Sequence, residues 1–309
     1  MFLASLLLAS ALVVEPSSSM IPPIQHDMLV SSEWLANHLN DPQVLVLHVG
    51  NDGKQFVQGH IPGARFLSWS QVATTRNGIA NELPPLSELV KSLRELGVTH
   101  KHRLVLYDEG AGLQAARAFV ALDYVGLGQQ TALLNGHWKI WREEKRPVGK
   151  EINKIAPSQF EPRLNLEMLV HMPQVQDAMW LNQQIPGSKL RLLDARPEAQ
   201  YTGAEPGEGI ARGGHIPGAI NLFWMNHVES EERPLLKSPE ALYLMYKQAG
   251  FTPGSEIITY CRTGGQASHS YFMAKYLGYQ TRLYDGSFSE WSREPHNPVT
   301  SGKEVPKLP

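Results

Sequence analysis

The stretch EIITYCRTGGQASHSYFMAKYLG, residues 256–278, decides how the chain is read. It holds the only cysteine, Cys261. An apolar, β-rich run (257–260) leads into the thiol and a glycine-bearing loop (262–267) follows it. Phe272, Met273, Tyr276 and Leu277 then mark one face of a helix. Strand, thiol, tight loop and helix N-terminus is a layout that lowers a thiol pKa, because unpaired backbone N–H groups and the positive helix end face the sulfur. A free thiol titrates near about 8.5 and is mostly protonated at neutral pH. Lowering that value makes a nucleophile. A lone cysteine is more often an inert core residue. Here Gly264 and Gly265 let the backbone curl with its N–H groups inward, and Arg262 adds a fixed charge, neither of which a core cysteine needs.

The rest of the chain repeats this segment. RLVLYDEGAGLQAARAFVALDYVG (103–126) lines up with 256–278, LLNGHWKIW (133–141) lines up with LYDGSFSEW (283–291), and GHIPGA occurs at 59–64 and again at 214–219. Three matches in one order mean two copies of a domain, not a solenoid unit. A length of 309 residues suits two domains. Each copy alternates strands with helices. The first has strands at 44–49 and 104–107, a helix at 86–96, and a second helix marked by Ala115, Ala118, Phe119, Leu122 and Val125. The second has strands at 190–193 and 257–260, a helix at 239–249, and the helix after the thiol. Apolar strands alternating with helices predict an α/β fold, each domain a parallel sheet with helices on both faces. Sites in such sheets lie at the carboxyl ends of strands, where Cys261 falls. The expected divisions are 1–24 as a signal peptide or N-terminal extension, 25–147 and 164–298 as the domains, 148–163 as a linker and 299–309 as a tail.

CRTGGQAS after a strand, with two such domains in tandem, resembles the rhodanese sulfurtransferases over nearly the whole chain. That resemblance implies a Cys261 persulfide that passes its outer sulfur to an acceptor. It implies a loop of Arg262, Thr263, Gly264, Gly265, Gln266 and Ala267 around the substrate, and a silent first domain. Asp108 aligns with Cys261 and cannot carry a persulfide, so a cap on the helix near Gln114 is the expected role. In mercaptopyruvate-type relatives the His of the first GHIPGA lies near the nucleophile with a hydroxyl two residues past it, which would be His60 and Thr263. Asp194 and Arg196 read as a structural pair. The family's substrate-gripping Arg is replaced by Gln200, and Arg212 is a candidate substitute. A loop of the two-cation kind goes with thiosulfate; Arg262 beside the thiol and Gln200 in place of Arg both point to that donor, with cyanide or a thiol as acceptor. The alternatives are a 3-mercaptopyruvate sulfurtransferase and a persulfide carrier without turnover. A phosphatase of related fold needs an Arg where Ala267 stands.

Net charge of −2 gives no general attraction to nucleic acid or an anionic membrane. One cysteine excludes an internal disulfide, and the 12 histidines show no defensible zinc spacing. The reaction calls for no metal or organic cofactor, and a monomer without stable membrane association is expected. The run 2–14 has the length of an export signal but no preceding Lys or Arg. The expectation is a periplasmic or exported protein; the alternative is a cytoplasmic one starting at Met20.

Overall fold

The computed structural model describes residues 23–185 and 187–303. The apolar run 2–14 and the residues past 303 lie outside the described residues, so the export expectation has no structural counterpart. Among the described residues, no helix is long and apolar enough to cross a membrane.

Two five-stranded parallel sheets form the frame. The first contains β1 (Leu29–Val30), β2 (Val44–Gly50), β3 (Arg65–Ser68), β6 (Arg103–Tyr107) and β7 (Thr131–Leu134), in the order β1-β7-β6-β2-β3. Strands β4 (Thr74–Arg76) and β5 (Ile79–Glu82) make a separate hairpin. The second sheet contains β8 (Leu169–Val170), β9 (Leu190–Asp194), β10 (Ile220–Asn221), β11 (Glu256–Tyr260) and β12 (Gln280–Tyr284), in the order β10-β9-β11-β12-β8. Read from the other edge, this is the order of the first sheet, so the internal repeat is a repeat of topology. Central strands are apolar on both faces because helices cover both. Leu104, Val105, Leu106 and Tyr107 of β6 are all fully buried.

Local signals explain several boundaries. The Pro239–Ala249 helix begins after Ser238, whose hydroxyl accepts from the Ala241 N–H, with Pro at its first position. It ends at Gly250 in the left-handed region. The β4–β5 hairpin turns on Asn77-Gly78, both at positive φ (50° and 73°), which is the strongest short hairpin signal.

The two domains share a core. The Leu113–Tyr124 and Gly265–Tyr276 helices follow the two equivalent loops and pack on each other. Residues Ala115 to Asp123 are all buried, so the helix is enclosed on every side, with its charged Arg117 and Asp123 paired to Asp285 and Tyr271. Phe119 meets Phe272 edge to face at 4.9 Å. The pairing is near-symmetric at its ends. Asp285 accepts the Leu83 N–H (2.6 Å), and Asn135, its counterpart, accepts the Leu236 N–H (2.9 Å).

Candidate active site

Cys261 stands at the carboxyl end of the central strand β11, 1% exposed. Its backbone is pinned on both sides. The Cys261 N–H donates to Ser287 Oγ (3.3 Å), and its carbonyl accepts from Phe288 N–H (2.9 Å). Arg262 O accepts from Ser289 N–H (3.0 Å). Gly264 then turns at φ +91°, a conformation glycine adopts without strain, and its N–H donates to the sulfur at 3.1 Å. Gly265 opens the helix with ordinary helical geometry, so only one of the two glycines is needed for the turn. The other faces the first domain: a Cβ at Gly265 would make ordinary contact with Leu113 (3.5 Å) and Trp69 (3.7 Å).

Burial is the largest influence on the thiol and pushes it up, with the Asp194 charge adding to the rise. N–H groups of Ala267, Thr263 and Gly264 pull the other way. The expectation of a net lowering is therefore corrected: the loop offsets burial without overcoming it. The first domain shows what this loop shape holds. Asp108 occupies the position of the thiol, and its carboxylate accepts from the N–H groups of Gly110 (2.9 Å), Gly112 (3.1 Å), Gln114 (2.9 Å) and Ala115 (3.0 Å). The expected cap is there, and it is an anion seated in a nest of backbone donors.

The structure brings Arg262, Thr263, Gly264, Gly265, Gln266 and Ala267 together around Cys261 and sets His60 and Arg212 apart. Arg262 is half-buried at the rim, under the excursion of residues 203–213: a Cβ on Gly207 would lie 3.2 Å from its Cδ and 3.6 Å from Gln200. Gln266 is half-buried and its Oε1 has no hydrogen-bond partner. His60 is fully buried, stacked on Phe56 at 3.9 Å, with ring nitrogens on the Phe56 and Glu151 carbonyls (2.7 and 3.2 Å). His215 repeats this, stacked on Tyr201 at 3.7 Å and bonded to its carbonyl. GHIPGA is thus a structural turn in both copies, and His60, expected near the nucleophile, has both ring nitrogens on backbone carbonyls instead. Arg212 donates to the carbonyls of Ser292 (3.0 Å), Asn297 (2.8 Å) and Glu294 (2.6 Å), so its guanidinium is held in the C-terminal segment and does not replace the missing grip at Gln200. Asp194 and Arg196 form the expected buried pair (2.6–3.1 Å), with the guanidinium 4.1 Å from the Phe288 ring.

Five residues escape the sequence reading. From the first domain, Asn81 Nδ2 donates to Thr263 Oγ1 at 2.9 Å, and Trp69 Nε1 donates to Asn81 at 3.3 Å. Arg117, fully buried, donates to both oxygens of Asp285 (2.6 and 3.3 Å). Asp285 in turn lies 3.1 Å from where a Gly264 Cβ would stand. Ser287, which holds the Cys261 N–H, sits at φ +54°. Asn77-Gly78 was the available signal for the hairpin that carries Asn81. The first domain therefore builds one wall of the thiol site.

The sequence matches the family described as "Rhodanese-like domain" twice, over residues 31–144 and 177–294. The chain belongs to the tandem-domain rhodanese family. Curated rhodanese relatives include "Sulfur carrier protein TtuD" of Thermus thermophilus, 33% identical over 90% of this chain and 98% of that one. "Thiosulfate sulfurtransferase" of Azotobacter vinelandii is 30% identical over 88% and 96%. The structure of the 3-mercaptopyruvate sulfotransferase SseA of Escherichia coli superposes with a TM-score of 0.73 at 26% identity, covering 84% of this chain and 98% of that one.

Proposed function

We propose that this rhodanese is a sulfurtransferase that carries sulfane sulfur on Cys261 between a donor and a thiophilic acceptor. One observation carries the reading: the loop at Asp108, which aligns with Cys261, seats a carboxylate on backbone N–H donors, and the backbone N–H groups of Thr263, Gly264 and Ala267 likewise face the Cys261 sulfur. A site built to hold an anion at the sulfur position suits a thiolate and, after transfer, a persulfide anion. The thiolate attacks the outer sulfur of thiosulfate, the S–S bond of the donor breaks, and sulfite leaves with the electron pair. Cyanide or a thiolate then attacks the outer persulfide sulfur, and Cys261 returns as thiolate. The backbone donors are in place before the reaction, so charge on sulfur is stabilised without reorganisation.

Thiosulfate is the proposed donor. Arg262 sits at the rim beside the thiol, where a cation favours a compact dianion and departing sulfite. Gln200 offers no bidentate grip for a carboxylate, and Arg212 is committed elsewhere. Relatives of similar identity bear thiosulfate, 3-mercaptopyruvate and carrier names, which makes donor and turnover the points to test. Steady-state transfer to cyanide, measured with each donor, decides both. A higher kcat/KM with thiosulfate is expected. Preference for 3-mercaptopyruvate overturns the donor assignment, and a persulfide formed without turnover makes the chain a carrier.

A further inference from the structure

The β4–β5 hairpin of the first domain carries a bulge. Thr74 pairs with Glu82 and Arg76 with Ile79, so β5 takes three steps where β4 takes two. Asn81 lies in that longer stretch at φ 62°, a left-handed conformation that asparagine adopts more readily than most side chains. Bulges re-aim a side chain, and this one carries the residue that reaches the other domain. Both ends of the hairpin are pinned there. Arg293 donates to the Gly78 carbonyl at the turn (2.9 Å), and Asp285 accepts the Leu83 N–H just past β5 (2.6 Å). Asn81 is therefore held in place before any ligand arrives.

The direction of its hydrogen bonds follows from donor chemistry. Trp69 Nε1–H only donates, so the Asn81 atom that meets it at 3.3 Å is the carbonyl oxygen. That leaves Nδ2, which also only donates, on Thr263 Oγ1 at 2.9 Å. A hydroxyl that accepts from Nδ2 keeps its own proton for another partner, and among the described residues that proton has no acceptor. The Thr263 N–H is one of the groups that face the Cys261 sulfur, and the residue is half-buried, like its neighbour Arg262. Its hydroxyl thus stands next to the thiol site with a proton to give.

We propose that Asn81 is a positioning residue for sulfur transfer: it fixes the Thr263 hydroxyl as a hydrogen-bond donor to the outer sulfur, the atom at which both half-reactions bring two anions together. The inference rests on the reading of Cys261 as the persulfide carrier. The thiolate meets the anionic outer sulfur of the donor, and cyanide later meets the anionic persulfide. In each step the Thr263 hydrogen bond offsets charge at that sulfur, and no proton changes hands. Asn81→Asp tests the direction, because a carboxylate only accepts. It keeps the Trp69 contact and takes the Thr263 proton for itself. Asn81→Gly removes the side chain without straining the backbone and leaves the hydroxyl free to turn. Loading of Cys261 from thiosulfate and from inorganic polysulfide, then its unloading by cyanide, is timed by mass spectrometry in single turnovers, with Tm as the folding control. Thr263→Val and Asn81→Asp should each slow both steps roughly ten- to a hundredfold, the worth of a hydrogen bond to a charged atom. Asn81→Gly should slow them less than Asn81→Asp does, and Thr263→Ser least of all. In the Thr263→Val chain Asn81→Asp should add no further loss, which separates a diverted hydroxyl from repulsion by the new carboxylate. A loss from Asn81→Gly as large as that from Asn81→Asp makes Asn81 a structural residue only and overturns the proposal. So does an undiminished Asn81→Asp loss in the Thr263→Val chain. A parent chain whose Cys261 takes sulfur from neither source refutes the persulfide reading itself, and this role with it. Should Asn81→Gly not fold, the cycle of Asn81→Asp and Thr263→Val decides alone.

Discussion

Asp285→Asn removes the charge that faces Arg117 across the domain interface. Arg117 is fully buried, and Asp285 is the only carboxylate it contacts among the described residues. Its other contacts are the Val72 carbonyl (3.3 Å) and the Ser268 hydroxyl (3.4 Å). Those are long and neutral and cannot compensate a buried charge. Breaking such a pair by removing one partner costs about 3–5 kcal/mol. Asn keeps one acceptor oxygen, so the lower end of that range is expected. At roughly 2–4 °C per kcal/mol for large domains, Tm should fall by about 6–12 °C. Sulfur transfer should fall as well, because Asp285 backs Gly264, whose N–H lies on the thiol. Thermal unfolding and steady-state transfer are measured together on the parent, the single variants Asp285→Asn and Arg117→Met, and the double variant Asp285→Leu/Arg117→Met. The double variant should recover most of the stability, since replacing both buried charges by apolar groups is often neutral or better. A fall in Tm under about 2 °C for Asp285→Asn, less than ~1 kcal/mol, with full activity would refute the argument.

Asp108→Ala should leave turnover within a factor of about three yet lower stability by ~1–3 kcal/mol, because backbone donors lose their acceptor; a loss of turnover as deep as that of a Cys261 variant would place Asp108 in the chemistry. Arg262→Ala should lower kcat/KM for thiosulfate by about 1.5–3 kcal/mol, roughly ten- to a hundredfold; an unchanged value removes Arg262 from donor binding. Burial lowers His48 to about 4 and His227 to about 3, below the unfolded value of 6.5, so both are neutral in the folded chain and protonated in the unfolded one below 6.5. Their contribution is present above that value and is lost as pH falls, by up to about 1.4 kcal/mol per pH unit for each group. Tm should therefore drop between pH 6 and pH 4, and His227→Phe should flatten the drop; a Tm independent of pH over that window contradicts it.

The frame was legible because its signals are local. The Pro239–Ala249 helix announces itself by a serine cap, a first-turn Pro and a closing Gly, and β6 and β11 by apolar runs too short for helices. The repeat then placed Asp108 against Cys261, and the Asp108 cap followed from helix chemistry. What was missed is long-range. His60 looked reactive because a motif carries it, but its neighbours Phe56 and Glu151 satisfy it. Asn81 and Arg117 carry no local mark of their task; only the docking of one domain on the other brings them to Thr263 and Asp285. The direction of the thiol pKa was misjudged for a related reason. Loop donors can be read from a glycine pattern, whereas the burial that outweighs them comes from helices and strands distant in sequence.

The central claim is that Cys261 carries the transferred sulfur. The direct measurement is intact-mass and peptide mass spectrometry of the chain after thiosulfate is added and removed without acceptor. The account predicts a gain of one sulfur atom on the peptide bearing Cys261, its disappearance on adding cyanide with release of thiocyanate, and no gain in a folded Cys261→Ser variant. Thiocyanate production by that variant, or by a parent chain whose Cys261 never gains sulfur during turnover, would contradict it.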